Sequence, residues 1–138
     1  MDFKLELVTV PVADVDLAKS YYMQQAGFAL DVDFHGEGDF RVVQLTPPGS
    51  ACSIVLMRND QAAGSLQGLH LVVSDIEQAR AELAGRGAQL GEIWHMESGQ
   101  QAAGLDPARG DYESFCELTD PDGNGWLLQE VGHQRSAS

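Results

Sequence analysis

VPVADVDLAKSYYMQQAGFAL (residues 10–30) and LVVSDIEQARAELAGRGAQL (residues 71–90) read alike. Each is an apolar run, then an acid (Asp14, Asp75), then a helical pattern with alanine at a matched place (Ala18, Ala79). Each closes at a glycine (Gly27, Gly87) before another apolar run. A second echo follows, LTPPGSACSIVL at 45–56 against LTDPDGNGWLL at 118–128. A repeat of about sixty residues over nearly the whole chain points to two copies of one supersecondary unit. A duplicated unit builds its site between the copies, and equivalent positions can be compared within one chain.

Working outward, residues 5–12 alternate and are β-prone, which predicts a strand. Asp14 is placed to cap a helix, and Asp16 lies in its first turn, where negative charge suits the helix dipole. The helix is expected to run to about Gln25, with Val15, Leu17, Ala18, Tyr21 and Tyr22 on its apolar side, and to end at Gly27. Strands at 28–34, 40–46 and 52–58 complete a βαβββ order, separated by HGEGD and PPGSA turns. Residues 59–66 form a linker. The second copy repeats the order: strand 69–73, helix 75–86 with Ile76, Ala79 and Leu83 on one face, and strands 89–96, 112–119 and 125–131. Pro121 and Gly123 fix the turn before the last strand. Residues 97–111, ESGQQAAGLDPARGD, read as a long polar loop, either a lid over a site or an idle excursion. Residues 132–138 read as a frayed tail.

At 138 residues the chain is one domain by size, with 43% hydrophobic residues and no low-complexity tract. Module one spans about 4–58 and module two about 67–131. No apolar run reaches the roughly 18 residues a membrane span needs, and MDFKLELVTV has no cationic region ahead of an apolar one, so no signal peptide is expected. Cys52 and Cys116 are far apart and outside any CxxC pair, which fits free buried thiols and a cytoplasmic compartment. A net charge of −13 argues against nucleic acid and anionic membranes and favours a cationic or neutral small molecule.

Two βαβββ units, V-x-D-[VI] entering each helix, and DPDGN before the last strand together resemble the vicinal oxygen chelate superfamily, which includes glyoxalase I, extradiol dioxygenases, fosfomycin-resistance enzymes and bleomycin-binding proteins. The resemblance covers roughly residues 4–131. It implies an α+β fold in which tandem βαβββ modules form a curved, cup-like sheet with helices outside and ligands inside. It also implies a homodimer. Metal-dependent members place a His, Gln or similar ligand on the first strand of each module and a Glu on the last. Counting seven back from Asp14 and Asp75 gives Leu7 and Gly68. Four beyond Gly123 is Leu127, and its match in the first copy is Val55. None of the four offers a donor to a divalent cation. The expectation is therefore no metal and no cofactor.

With those slots inward, the strand period of two makes the inward set Leu5, Leu7, Thr9, Ser53, Val55, Met57, Gly68, His70, Val72, Gly125, Leu127 and Gln129. The opposite faces (Val8, Val10, Ile54, Leu56, Leu69, Leu71, Val73, Trp126, Leu128) are uniformly apolar, as faces under helices should be. A mixed inward face suits a small-molecule pocket. The candidate ligand-binding residues are Leu7, Thr9, Ser53, Val55, Met57, Gly68, His70, Leu127 and Gln129, with Trp94 as a stacking surface. His70 is also the candidate acid/base. With Gln129 it could instead form a displaced metal site, but the matched pair in the first copy, Thr9 and Met57, ligates poorly. His35 and His95 read as surface or packing residues, and His133 falls in the tail. Arg41 clamps a carboxylate if it faces the cup and is otherwise salt-bridged. Tyr112, Glu113 and Phe115 could close a rim.

Three functions remain open on this reading: a metal-free binder of a small organic molecule, in a resistance or sequestration role; an enzyme of the same superfamily using His70 (a lyase, isomerase or dioxygenase-like protein, metal-free or metal-dependent); or an interaction subunit with a filled cup.

Overall fold

The computed structural model describes residues 1–136. It is a mixed α+β structure, and the chain divides into two compact units, Met1–Leu66 with Asp120–Asn124, and Gln67–Thr119 with Gly125–Ser138.

In the first unit, β1 (Leu7–Val12) leads to α1 (Val15–Ser20), which widens into a π-helical turn at Tyr21–Gln25. β2 (Ala29–His35), β3 (Arg41–Thr46) and β4 (Ser53–Arg58) follow. The sheet order is β1-β4-β3-β2, with β1 parallel to β4 and the other pairs antiparallel. The Asp14 carboxylate caps α1 by accepting the Leu17 N–H at 3.0 Å. Ala18, Tyr21 and Tyr22 are buried, but Leu17 is 56% exposed, against the expectation from sequence. One residue along a helix is a rotation of about 100°, which carries Leu17 off the stripe that buries Ala18.

The turn DPDGN of the second repeat belongs to this first unit. Buried Asp120 accepts the Tyr22 hydroxyl proton at 2.7 Å, and Asp122 accepts the Ala13 N–H at 3.1 Å. Asn124 donates to the Pro11 carbonyl at 2.9 Å and accepts the Leu66 N–H at 3.1 Å. Gly64 (φ 82°) is required there, since a Cβ would stand 2.2 Å from the Asp122 carbonyl oxygen.

In the second unit, β5 (Leu69–Val73) and α2 (Ile76–Gly85) are followed by β6 (Gln89–Leu90), β7 (Trp94–Glu97), β8 (Gln100–Ala103), β9 (Ser114–Thr119), β10 (Gly125–Glu130) and α3 (His133–Ser136). The order is β5-β10-β9-β7-β8, with β6 also on β9 and β5 parallel to β10. Asp75 caps α2 by accepting the Gln78 N–H at 3.1 Å.

Three expectations are corrected here. The strand expected at 89–96 is two short strands, Gln89–Leu90 and Trp94–Glu97; Gly91 still donates its N–H to the Glu117 carbonyl at 2.9 Å before the chain departs. The expected loop 97–111 is partly a hairpin: Ser98 and Gly99, both at positive φ, make a tight turn that pairs β7 with β8. The segment between β8 and β9, outside helix and strand, is thus 104–113. In the expected tail, His133–Ser136 form a short helix; residues 137–138 lie outside the described ones. Both cysteines are free thiols, Cys116 buried and Cys52 half-buried, and burial pushes the Cys116 thiol pKa up. No helix among the described residues is long and apolar enough to cross a membrane.

Candidate functional site

Each sheet has one face under its helix and one open face. In the first unit Val10, Val12, Val43, Leu45, Ile54 and Leu56 are buried. Leu7 and Thr9 are exposed on the other face beside Ser53 and Val55, their strand partners, which are buried, with Met57 half-buried. Ser53 shares a hydrogen bond with Thr46 at 2.6 Å. Arg41 is on the helix side, in register with buried Val43 and Leu45. It is bidentate to Asp33 (3.1 and 3.0 Å) and pairs with Asp16 at 2.5 Å, so it is the salt-bridged alternative. Hydrogen bonds from Arg41 and Lys19 hold the Asp33 carboxyl well below the usual carboxylate range. A pocket of about 460 Å³ lies beside α1, lined by Asp14, Asp16, His35, Asp39, Phe40 and Arg58 among others. His35 is largely exposed there, 3.6 Å from Asp33.

The open face of the second unit is built as cross-strand rows. Gly68 donates its N–H to the Gly125 carbonyl at 3.1 Å, which starts the first row. The next runs His70, Leu127, Glu117, and the next Val72, Gln129, Phe115, Trp94. Trp94 stacks on Phe115 with ring centroids 4.5 Å apart and planes 25° from parallel. A pocket of about 270 Å³ is lined by Gln67, Gly68, Trp94, Glu117, Thr119 and Leu127, together with Leu118, Gly125 and Trp126. The Glu117 carboxylate has no ion-pair or hydrogen-bond partner among the described residues. Trp126 is buried with Leu128 on the helix side.

His70 is exposed, and its Nδ1 lies 2.9 Å from Gln129 Oε1. Gln129 Nε2 donates to the Tyr112 carbonyl at 3.3 Å, which fixes the amide so that Oε1 faces the imidazole. An oxygen acceptor there makes Nδ1 the protonated nitrogen and leaves the Nε2 lone pair free. That imidazole can accept a hydrogen bond or a proton from a bound molecule. His95, by contrast, is buried on the helix side and donates from Nδ1 to the Gly104 carbonyl at 2.7 Å.

The buried face carries one charge cluster. Glu130 is fully buried and accepts the Ile76 N–H at 2.9 Å. Arg109 reaches it through Nε (2.8 Å) and Nη2 (2.6 Å), and Nη1 lies 3.3 Å from Glu77. Burial alone would raise the Glu130 carboxyl pKa; the Arg109 guanidinium and the Ile76 N–H outweigh it and hold the group below its ordinary value. Asp75, Glu130 and His133 offer three ligand atoms within 4.8 Å of one another. The Arg109 Nη2 already stands 2.6 Å from Glu130 and 3.6 Å from Asp75, so a guanidinium supplies the positive charge a cation would bring.

Glu117, Arg109 and Glu130 were not singled out in the sequence. Glu117 had a signal: in ESFCELT the polar Glu113, Glu117 and Thr119 alternate with Ser114, Cys116 and Leu118, which puts Glu117 opposite the apolar face. Glu130 had one too, since alternation from Trp126 and Leu128 puts a carboxylate on the buried side, where it must be paired. Arg109 had none, because its partner is 21 residues away.

The sequence matches the Glyoxalase/Bleomycin resistance protein/Dioxygenase superfamily over residues 4–128, and the chain belongs to that family. Among solved structures it is similar to TnmS3, an antibiotic binding protein from Streptomyces sp. CB03234, at 29% identity and a TM-score of 0.73, covering 94% of this chain and 97% of that one. A glyoxalase/bleomycin resistance protein from the same strain is also 29% identical, with a TM-score of 0.70 over 92% of this chain and 100% of that one. A superfamily member from Sphaerobacter thermophilus DSM 20745, at 22% identity, TM-score 0.70, and coverage of 94% and 98%, shares the fold. Among curated proteins none matches.

Some members of the family use a metal, and the positions that resemblance assigns to its ligands are Leu7, Val55, Gly68 and Leu127. Hydrocarbon and glycine supply no side-chain donor, so the residues present do not fit such an ion.

Proposed function

We propose that this protein binds a small organic molecule with aromatic and cationic character on the open face of its second sheet, without a metal or cofactor, in the manner of a sequestration or resistance protein. The observation that carries this is the pocket in which the Trp94 ring, the apolar Leu127 and the unpartnered Glu117 carboxylate come together. A ring face and a free carboxylate are the two groups that recognise a planar cation. The 29%-identical antibiotic binding protein supports the same reading. His70 and Gln129 then supply polar contacts at the rim, and Gly68 lets the ligand approach the backbone. A homodimer is part of the reading, supported by exposed apolar side chains such as Leu7, Val32 and Phe34. Two free thiols suit a reducing, cytoplasmic compartment.

The test is a fluorescence titration with acridine orange, ethidium and bleomycin as probes. Saturable binding that weakens in Trp94→Ala and Glu117→Gln supports the reading; binding unchanged in both variants, or none with any probe, refutes it. Metal analysis belongs beside it: stoichiometric Zn²⁺, Mn²⁺, Fe²⁺ or Ni²⁺ after incubation and desalting would defeat the metal-free part.

A second reading, an enzyme using His70 as a general base, draws on the Gln129 contact that leaves Nε2 unprotonated. Conversion of a bound compound, lost in His70→Gln with binding retained, would favour it.

A further inference from the structure

The last two residues of β10 face opposite ways. Gln129 is on the open face and Glu130 on the buried one. The segment 104–113 grips both. Its Arg109 side chain binds the Glu130 carboxylate, and the Tyr112 N–H donates to the Glu130 carbonyl at 2.8 Å. Its Tyr112 carbonyl accepts the Gln129 amide that orients His70. Arg109 and Tyr112 both sit at positive φ, 51° and 65°, a conformation that L side chains rarely adopt. Such strain persists only where surrounding contacts over-determine it.

We propose that Arg109 is a positioning residue for His70: its pair with buried Glu130 holds the left-handed turn whose Tyr112 carbonyl locks Gln129, and Gln129 sets which imidazole nitrogen carries the proton. The inference rests on the place of His70 in the proposed binding site. Other ties hold the segment at either end, Asp106 N–H to the Ser114 hydroxyl (2.9 Å) and Gly132 N–H to Asp111 (2.7 Å). Arg109 is the only arginine or lysine paired with Glu130 among the described residues. Glycine is the usual residue for such a turn. An arginine there gives up backbone freedom and brings a side chain long enough to reach the buried acid.

The experiment reads the His70 imidazole nitrogens by long-range ¹H–¹⁵N NMR at neutral pH in the ligand-free protein, with His70→Gln assigning the signals. Wild type is expected to show a protonated Nδ1 and a bare Nε2. Arg109→Ala strands a buried carboxylate and endangers the fold, so Arg109→Ala combined with Glu130→Gln removes both charges. That double variant is expected to show a mixture of the two tautomers while its methyl spectrum stays native. Arg109→Lys keeps the charge without the fork and is expected to restore most of the wild-type pattern. A folded double variant with His70 still protonated only at Nδ1 overturns the proposal, as does a wild-type His70 protonated at Nε2. The probe titration fails or succeeds independently, so loss of the binding reading and loss of this inference are told apart.

Discussion

The two units offer the same backbone positions to very different chemistry. Thr9 beside β4 corresponds to His70 beside β10, and Met57 corresponds to Gln129. A threonine and a thioether make no fixed pair. The imidazole and amide do, at 2.9 Å, and the amide is itself held by the Tyr112 carbonyl. One residue further, Arg58 is exposed and pairs loosely with Asp60 at 3.4 Å, while Glu130 in the matching place is fully buried and bound to Arg109. The repeat supplies two scaffolds with the same central parallel pair, β1 with β4 and β5 with β10. The polar and aromatic groups of the proposed binding face lie on the second, and so does the insertion, residues 97–113, whose Tyr112 carbonyl holds Gln129. A pair of copies frees one face to diverge while both keep their cores.

That asymmetry can be broken at its anchor. Arg109→Ala leaves the fully buried Glu130 carboxylate without its partner and is expected to cost about 3–5 kcal/mol in chemical denaturation. Arg58→Ala, at the matched edge of the first unit, is expected to cost far less, because its pair with Asp60 is exposed to water. Equal costs would mean that the buried pair is not what separates the units.

The open faces should respond as unequally. Trp94→Ala is expected to weaken acridine orange binding about tenfold, the loss of a stacked ring worth about 1.4 kcal/mol. Thr9→Ala and Met57→Ala, in the first unit, are expected to change it less than about threefold, a difference under about 0.7 kcal/mol. An effect between these is expected for Gln129→Leu, about two- to fivefold, through one lost neutral hydrogen bond. Titration by fluorescence reads all four.

Acid should sharpen the picture further. Asp33 and Glu130 both have pKa values lowered by the fold, from 3.8 and 4.5. A lowered carboxylate stabilises the native state above the unfolded-state value, and that stability is lost as pH falls through the folded value. The melting temperature is therefore expected to hold from about pH 8 to pH 5.5 and to fall below about pH 4.5. In Arg109→Ala the part of that fall due to Glu130 should shrink. A melting temperature that rises toward pH 3 would contradict the sign.

Much of this was legible in sequence. The repeat placed both helices because Asp14 and Asp75 cap them, and alternation separated buried Val10, Ile54, Leu56, Trp126 and Leu128 from the open face. The β7–β8 hairpin was not legible, since QQAA carries no β-branched residue and its Ser98-Gly99 turn looked like one more loop signal in a Gly-rich stretch. The π-helical turn at Tyr21–Gln25 also left no trace, because it preserves an apolar stripe while changing its pitch. In the site, strand period alone could put His70, Leu127 and Gln129 on one face. The pairing of Trp94 with Phe115 depends on which strands are neighbours, and the grip of Arg109 on Glu130 is a tertiary contact with no local pattern.

The most direct test of the central claim, that the second open face is the binding face, is mapping of backbone amide shifts during a titration with acridine orange. The expected result is shifts concentrated at Gly68, His70, Trp94, Phe115, Glu117 and Leu127. Shifts confined instead to the first unit's pocket, at Asp14, His35, Asp39, Phe40 and Arg58, would contradict the account.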